Sequence, residues 1–75
     1  MRRELPVLRP KQAISALEKA GFVIKRQTGS HIIMYKDDVR HPVSIPNHPR
    51  DLPKGTLRAI IRASELTISE FLSLL

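Results

Sequence analysis

The apolar residues of this chain follow a helical period first and a strand period directly afterwards. Between Pro10 and Ala20 they recur every three or four positions, and Gly21 follows. Proline suits the first turn of a helix, where its missing N–H costs nothing, and glycine accepts the left-handed conformation that ends a helix. The stretch PKQAISALEKAG therefore predicts an amphipathic helix with one apolar side.

The next three segments have the period of two that is typical of strands. Phe22–Gln27 is predicted as the first strand, His31–Lys36 as the second and Val39–Ile45 as the third. Residues 28–30, with the sequence TGS, predict a hairpin turn between the first two strands. Two aspartates at 37–38 predict the second turn. On the first strand, Phe22 and the isoleucine two residues later are expected to share one face.

Prolines mark the end of the sheet and the start of the second helix. Pro42 weakens the start of the third strand, which suits an edge strand or a bulge. The loop at 46–49 carries two further prolines, and a second helix is expected near Pro53. A last, very apolar helix is expected from Thr67, as core or as a dimer interface. There TISE has the form of a capping box, in which the threonine and glutamate side chains each bond the other's backbone amide.

The order α-β-β-β-α-α indicates an α+β fold, with a three-stranded antiparallel sheet covered on one face by helices and an extra short C-terminal helix. With 75 residues, a single domain over residues 1–75 is expected. So small a domain buries a modest fraction of its surface, and the chain has no cysteine for a disulfide. Additional stability is therefore expected from a second copy or a protein partner.

In such a sheet, His31 is expected on the face that the helices leave open. If Ile32 and Met34 point into the core, alternation along the strand directs His31 and Ile33 to the opposite face. Three short helices supply too little surface to cover both faces. His31 is therefore expected to be open to solvent or to a partner.

The charge balance favours a polyanionic partner. The chain has 13 Lys and Arg against 7 Asp and Glu, a net charge of +6. Nucleic acid is the first candidate and an anionic membrane surface the second. No apolar run approaches the roughly 20 residues of a membrane span, and no apolar signal-peptide core follows the charged segment Met1–Arg9. A cytoplasmic protein without a membrane segment is expected.

Two groups of basic residues are candidates for phosphate contacts. The basic residues nearest to His31 are Lys25, Arg26 and Lys36. On the second helix, Lys54, Arg58 and Arg62 stand at four-residue steps and so form one basic stripe. That stripe can bind phosphate or be an ordinary solvated helix face.

The other polar candidates have structural interpretations as well. Ser30 can contact RNA, but as a nucleophile it lacks a base with an orienting partner, and a turn residue is the better explanation. His48 can help to bind RNA, although the prolines beside it explain the loop nearly as well. Tyr35 can stack on a base or pack against Ile33. The three histidines lack a metal-ligand spacing, so neither a metal nor another cofactor is expected.

Four motifs occur in a specific order along the chain: LEKAGF, GSH, SIPNH and LPKGTLRAIIRAS. In these motifs the sequence resembles the HicA toxins of bacterial and archaeal toxin–antitoxin systems, small ribonucleases that cut messenger RNA. The resemblance implies a double-stranded-RNA-binding-like α-β-β-β-α fold, a catalytic role for His31 and a HicB-type antitoxin as partner. The sequence departs from the family in two places. The turn between the second and third strands reads DDVRHP, where the family more commonly has a glycine, and the chain continues into a third helix. That helix bears on whether the chain forms a homo-oligomer or a toxin–antitoxin hetero-oligomer.

Metal-free cleavage of RNA uses the 2′-hydroxyl as the nucleophile against the adjacent phosphorus. It requires a base, an acid for the leaving 5′-oxygen, and cations for the added phosphate charge. A histidine with the ordinary pKa of its side chain, about 6.5, can act as acid or base at neutral pH. Both roles stay open for His31, and the sequence offers no clear second proton-transfer group. Because DNA lacks the 2′-hydroxyl, this chemistry predicts specificity for RNA.

A second hypothesis belongs to a different class of function. A basic α-β-β-β-α domain can be a non-catalytic double-stranded-RNA-binding module, in which His31 only contacts phosphate or ribose. DNA binding comes third, because no helix-turn-helix pattern stands out. A test of growth arrest by the His31→Ala variant separates the first two hypotheses.

Overall fold

The structure is a computed structural model and describes residues 5–75. Its elements are α1 (Pro10–Lys19), β1 (Val23–Gln27), β2 (His31–Tyr35), β3 (Val43–Pro46), α2 (Lys54–Ser64) and α3 (Ile68–Ser73). The strands form one antiparallel sheet in the order β1-β2-β3. The predicted α+β order, the three-stranded sheet and the extra C-terminal helix are confirmed. No signal peptide is expected at the segment Met1–Arg9. The first four residues of this segment lie outside the described residues.

Gly21 stops helix α1 just after its last residue, as the sequence predicts. Gly21 has a φ of +105°. Its amide donates to the carbonyl of Glu18 at 3.0 Å, and the Phe22 amide donates to the carbonyl of Leu17 at 3.0 Å. This hydrogen-bond pair is the Schellman motif, which satisfies carbonyls that the helix end would otherwise leave free. Because Phe22 and Leu17 are both buried, the cap also fixes the direction in which the chain enters β1.

One face of the sheet forms the core with the helices. Helices α1 and α2 both pack against β3. The buried sheet residues under them are Ile32, Met34, Val43 and Ile45. These side chains come from β2 and β3 alone, and every residue of β1 is exposed. The helix layer therefore covers one face of two strands and leaves β1 at the rim.

The segment before α1 closes part of this core, a feature that the periodicity does not indicate. Leu5 and Leu8 are buried. The carbonyl of Leu8 accepts a hydrogen bond from the amide of Leu52 at 2.7 Å, and Leu52 is buried as well. The N-terminal segment is thereby attached to the loop that leads into α2.

The third strand is shorter than predicted. An extended segment is expected over Val39–Ile45, but β3 covers only Val43–Pro46. The amide of Val39 instead donates to the carbonyl of Lys36 at 3.0 Å and closes the turn that was predicted at residues 37–38. The next residues remain in this turn region, and Pro42 at its end has no N–H to give to a ladder. The apolar Val39 is buried beneath this turn rather than on a strand.

The placement of Ile24 also differs from expectation. It lies opposite Met34 of β2, on the core face that the alternation with Phe22 predicts. Phe22 is buried, but Ile24 remains 45% exposed. The reason is its position at the sheet rim, beyond the helices that pack on β3.

Helix α3 begins with the predicted capping box. The amide of Glu70 donates to the Thr67 hydroxyl at 3.0 Å, and the amide of Thr67 donates to the Glu70 carboxylate at 2.8 Å. One side chain of this helix, Phe71, is fully buried in the core. Ile68 and Leu75 are 36% and 48% exposed, so the predicted apolar side of this helix is only partly core.

Candidate active site

The strand alternation predicted around His31 is confirmed. His31 begins β2 and is exposed, whereas Ile32 and Met34 are buried in the core. Ile33 is half-buried on the same face as His31. The residue opposite His31 on β3 is Pro46. The imidazole therefore lies at one end of the open sheet face, where a large ligand can reach it.

Three hydrogen bonds to one neighbour hold the backbone of His31. The Thr28 amide donates to the His31 carbonyl at 2.8 Å. The His31 amide donates to the Thr28 hydroxyl at 2.9 Å, and that hydroxyl donates to the His31 carbonyl at 3.1 Å. The threonine thus satisfies both backbone groups of the residue after the turn. These hydrogen bonds fix the conformation of the exposed hairpin turn where it joins β2.

The Ser30 hydroxyl contacts the imidazole ring itself. Its oxygen lies 3.0 Å from Nδ1 of His31. The hydroxyl can donate to an unprotonated Nδ1 or accept from a protonated one, because a serine does both. In either case Nδ1 is occupied, and Nε2 is the ring nitrogen left for another molecule. Ser30 therefore selects which nitrogen of His31 faces outward.

A β-bulge in β1 sets the direction of two basic side chains. Ile24 lies opposite Met34 and Arg26 lies opposite Ile33, so Lys25 is an extra residue with no partner of its own. Strict alternation would direct Arg26 to the core face together with Ile24. Because residues opposite each other share a face, the bulge instead directs Arg26 to the open face, with Ile33.

The other basic residue of the bulge lies on the open face as well. The Lys25 ammonium is 5.9 Å from the centre of the Tyr35 ring, a cation–π distance. Tyr35 and His31 alternate onto the same face of β2. The bulge therefore provides the open face with two positive charges, from Lys25 and Arg26.

Lys36 lies at the other end of β2 from His31. Five residue steps at about 3.4 Å place the two about 17 Å apart. The Lys36 ammonium is 3.8 Å from the Asp38 carboxylate, and its aliphatic stem covers Gly21. The structure therefore does not bring Lys36 together with His31, and its RNA contact stays a prediction.

The loop after β3 is joined to the turn that precedes His31. The Asn47 amide donates to the carbonyl of Ser30 at 2.8 Å. His48 follows and is half-buried, and its Nδ1 accepts the amide of Arg50 at 3.1 Å. The loop thus places His48 at the same end of the sheet as His31. Its ring helps to shape the loop, and a contact with RNA is still a prediction.

The basic stripe on α2 belongs to the helix layer, on the other side of the sheet from His31. Lys54, Arg58 and Arg62 are all exposed. Within residues 5–75, no acidic oxygen lies within 4.0 Å of any of the three. Lys54 begins α2 directly after the loop that contains His48. The stripe is therefore available to bind phosphate. Arg62, at the other end of α2 from Lys54, is the member farthest from that loop.

Sequence reasoning named Ser30 without its contact to the His31 ring, and it missed the role of Thr28. Thr28 was only part of a predicted turn, although it makes three hydrogen bonds to His31. A threonine three residues before a strand start is a signal for such a turn, because its side chain readily bonds nearby backbone. The bulge at Lys25 has no comparable sequence signal.

The part of the chain that the structure describes contains neither a cluster of metal ligands nor a membrane-spanning helix. No group of three or more His, Asp or Glu side chains lies together as a metal site requires. The helices of residues 5–75 are likewise too short and too polar to span a bilayer.

Comparison with models of known protein families gives a match to a toxin family. A family model described as the HicA toxin of bacterial toxin–antitoxin matches residues 10–66 of this chain. The matched residues run from the start of α1 to just before α3, and they include the turn, His31, the loop with His48 and the whole of α2. A search of curated proteins finds no match.

Proposed function

Because this chain belongs to the HicA toxin family of bacterial toxin–antitoxin systems, we propose that it is an endoribonuclease that cuts messenger RNA and so blocks translation. The observation that carries the proposal is the arrangement around His31. It is an exposed histidine on an open sheet face, with its backbone held by Thr28 and its ring by Ser30. Such support is what a catalytic side chain needs to keep one geometry.

The proposed reaction uses a nucleophile that RNA itself provides. The 2′-hydroxyl attacks the adjacent phosphorus and loses its proton to a base. The bond from phosphorus to the 5′-oxygen breaks, and an acid protonates that oxygen. The products are a 2′,3′-cyclic phosphate and a 5′-hydroxyl. His31 carries one of these proton transfers through Nε2, the nitrogen that Ser30 leaves free. This route requires no metal ion.

Positive charge near the phosphate would complete the site. The phosphate gains negative charge in the transition state, and nearby cations stabilise it. Arg26 and Lys25 are the candidates on the open face with His31. The cations on α2, Lys54 and Arg58, would bind a more distant part of the RNA backbone. The chain therefore offers one basic group for the reacting phosphate and another for RNA binding.

The toxin–antitoxin family implies an antitoxin partner, and we propose one of the HicB type. The open sheet face is the surface it would cover. Besides His31, this face presents Val23, which is 58% exposed, and the half-buried Ile33 and Tyr35. Exposed apolar groups among basic ones are typical of a surface that binds another protein. An acidic antitoxin surface would complement Lys25 and Arg26 and speed the encounter.

A non-catalytic double-stranded-RNA-binding module is the second candidate. The observation that favours it is the stripe of Lys54 and Arg58, which has no acidic oxygen within 4.0 Å among residues 5–75 and lies on the other side of the sheet from His31. In this alternative the stripe does the binding, and His31 contributes a contact to phosphate or ribose.

Growth and RNA integrity in an expressing host separate the two candidates. The variants are His31→Ala and, as a matched control, His41→Ala, because His41 is exposed in the turn at the far end of β2. We expect growth arrest and degraded messenger RNA with the wild type and with His41→Ala, and neither with His31→Ala. Equal arrest by all three proteins, or RNA binding without any cleavage, would favour the binding module.

A further inference from the structure

A groove opens at the end of the sheet that carries His31, but on the helix side. Its volume is about 570 Å³, within the range of roughly 300–1,000 Å³ found for small-ligand sites. It lies between the start of α1, the end of β1 and the loop after β3. Neither the proton transfers nor the basic stripe on α2 makes use of it.

The walls of the groove combine apolar surface with free amides. Ile14 and Ile32 supply apolar surface, and Gln27 and Asn47 supply carboxamide side chains. Within residues 5–75, neither carboxamide group has a hydrogen-bond partner in the protein. Both residues are exposed, so these donors and acceptors are open to a ligand. Apolar walls with a few polar groups of both kinds suit a nucleobase.

The rim of the groove is positively charged. Lys11 and Arg9 both line it. Arg9 shares its charge with Asp51, at 3.6 Å between Nε and a carboxylate oxygen. Lys11 has no acidic oxygen within 4.0 Å among the described residues. A ligand that carries phosphate beside its base would meet a cation at this rim.

Three residues that line the groove are joined directly to His31 or to a residue beside it. Ile32 follows His31, Gln27 precedes Thr28, and Asn47 follows Pro46, the residue opposite His31. Consecutive Cα atoms are about 3.8 Å apart. A strand of RNA that passes around this end of the sheet can therefore present a phosphate to His31 and an adjacent base to the groove.

We propose that this groove binds one base of single-stranded RNA next to the cleaved phosphate and so sets the preferred cleavage sequence. Adenine is the expected base, because a carboxamide pairs with its N6 and N7 in a two-bond arrangement. Gln27 and Asn47 are the residues that read it. This inference rests on the proposed ribonuclease function for the position of the base relative to the cut.

The occupant favoured is RNA rather than an antitoxin side chain. A protein side chain that enters a cationic groove would be a carboxylate, which accepts hydrogen bonds but donates none when ionised. Two carboxamides each offer a donor and an acceptor. A base edge uses both, so it matches the pair Gln27 and Asn47 better.

Binding is measured with the His31→Ala protein, so that the RNA stays intact. The probes are UUAUU, UUGUU and UUUUU, and the readouts are affinity and the NMR signals of the carboxamide NH₂ groups of Gln27 and Asn47. We expect UUAUU to bind about fivefold or more tightly than UUUUU and to shift these signals. Gln27→Glu keeps the side-chain shape but loses the donor, and it should remove the preference, as should Asn47→Ala. Ser69→Ala on α3 is the matched control and should keep it.

Equal affinity for the three RNAs, unshifted carboxamide signals, or a preference that survives both groove variants would overturn the proposal. A response of these signals to an antitoxin but not to RNA would also overturn it. Cleavage by the protein with His31 intact is then mapped on the same RNAs. If UUAUU binds with the expected preference but is not cut, the ribonuclease proposal fails and the base-binding groove stands. If the RNAs are cut without base preference and the groove variants cut alike, the groove fails and the ribonuclease stands.

Discussion

The Ser30 hydroxyl oxygen lies 3.0 Å from Nδ1 of His31, between neighbouring residues at the point where a hairpin turn becomes a strand. Both residues are exposed, so the contact contributes little to the core. What it determines is the ring orientation, since Thr28 already holds the backbone of His31. In the proposed ribonuclease Ser30 is therefore a positioning residue, which acts through the histidine.

Ser30→Ala should lower kcat about five- to tenfold and leave KM nearly unchanged, since one hydrogen bond of about 1 kcal/mol is lost and no RNA contact is removed. Ser30→Thr keeps the hydroxyl and should restore most of the rate. Steady-state cleavage of a short RNA measures both constants. A raised KM with an unchanged kcat would show instead that Ser30 holds the RNA directly.

Arg26→Ala should weaken RNA binding and make it less dependent on salt. The bulge directs this side chain to the open face, and the loss of one phosphate contact reduces the slope of log K against log salt by about 0.7 for a single strand. Lys19→Ala, which removes an exposed charge from the last turn of α1, serves as the control and should leave the slope as it is. Titrations at several salt concentrations give the slopes, and equal slopes for the two variants would contradict this role of the bulge.

Gly21→Ala should destabilise the fold by about 1–2 kcal/mol, because an alanine is strained in left-handed backbone. Gly21 has a φ of +105°, and an added Cβ would lie 3.2 Å from Cε of Lys36. Gly55→Ala is the matched control, since Gly55 is in α2 with nothing within 4 Å of an added Cβ. That change should stabilise the helix by up to about 1 kcal/mol. Urea unfolding measures both variants, and a loss of stability at both positions would refute the explanation from backbone conformation.

The capping box of α3 should make stability depend on pH. Hydrogen bonds from the backbone and side chain of Thr67 lower the pKa of Glu70 below its usual value of 4.5. A carboxylate with a lowered pKa in the folded state contributes stability above its unfolded pKa, and the contribution is lost as the pH falls through the folded value. Glu70→Gln should therefore reduce stability at neutral pH and differ less from the wild type in acid.

Thermal unfolding at pH 7 and below pH 4 checks the capping box. Thr67→Ala removes the side-chain hydrogen bond but keeps the backbone amide, which is the larger cause of the lowered pKa of Glu70, so Glu70→Gln should keep most of its pH-dependent effect in the Thr67→Ala background. The same loss at both pH values for Glu70→Gln would mean that its charge plays no part.

Local rules in the sequence were sufficient for much of the fold. The end of α1 at Gly21 and the start of α3 at Thr67 follow from hydrogen-bond chemistry within a few residues, and both were predicted. The exposed position of His31 also followed, because the alternation in β2 is strict. These features depend on neighbours in the sequence.

The features that were missed depend on distant parts of the chain. The late start of β3 comes from the continuation of the predicted turn at 37–38 through the next residues, with the apolar Val39 buried beneath it, and a strand pattern gives no sign of this extension. The bulge at Lys25 is a shift in the pairing register of β1 and β2, so the sequence of either strand alone does not indicate it. The groove beside Gln27 needs three separate segments to form its walls. Such features require the assembled chain.

Cleavage of a short RNA by the purified protein in the presence of a chelator tests the central claim most directly. The substrate is compared with one that carries a single 2′-deoxy sugar at the mapped cut. The proposed mechanism predicts a 2′,3′-cyclic phosphate product and no cut at the deoxy position. It also predicts a loss of about 10²-fold or more in rate for His31→Ala, with His41→Ala unchanged. Cleavage at the deoxy position, or an undiminished rate for His31→Ala, would contradict it.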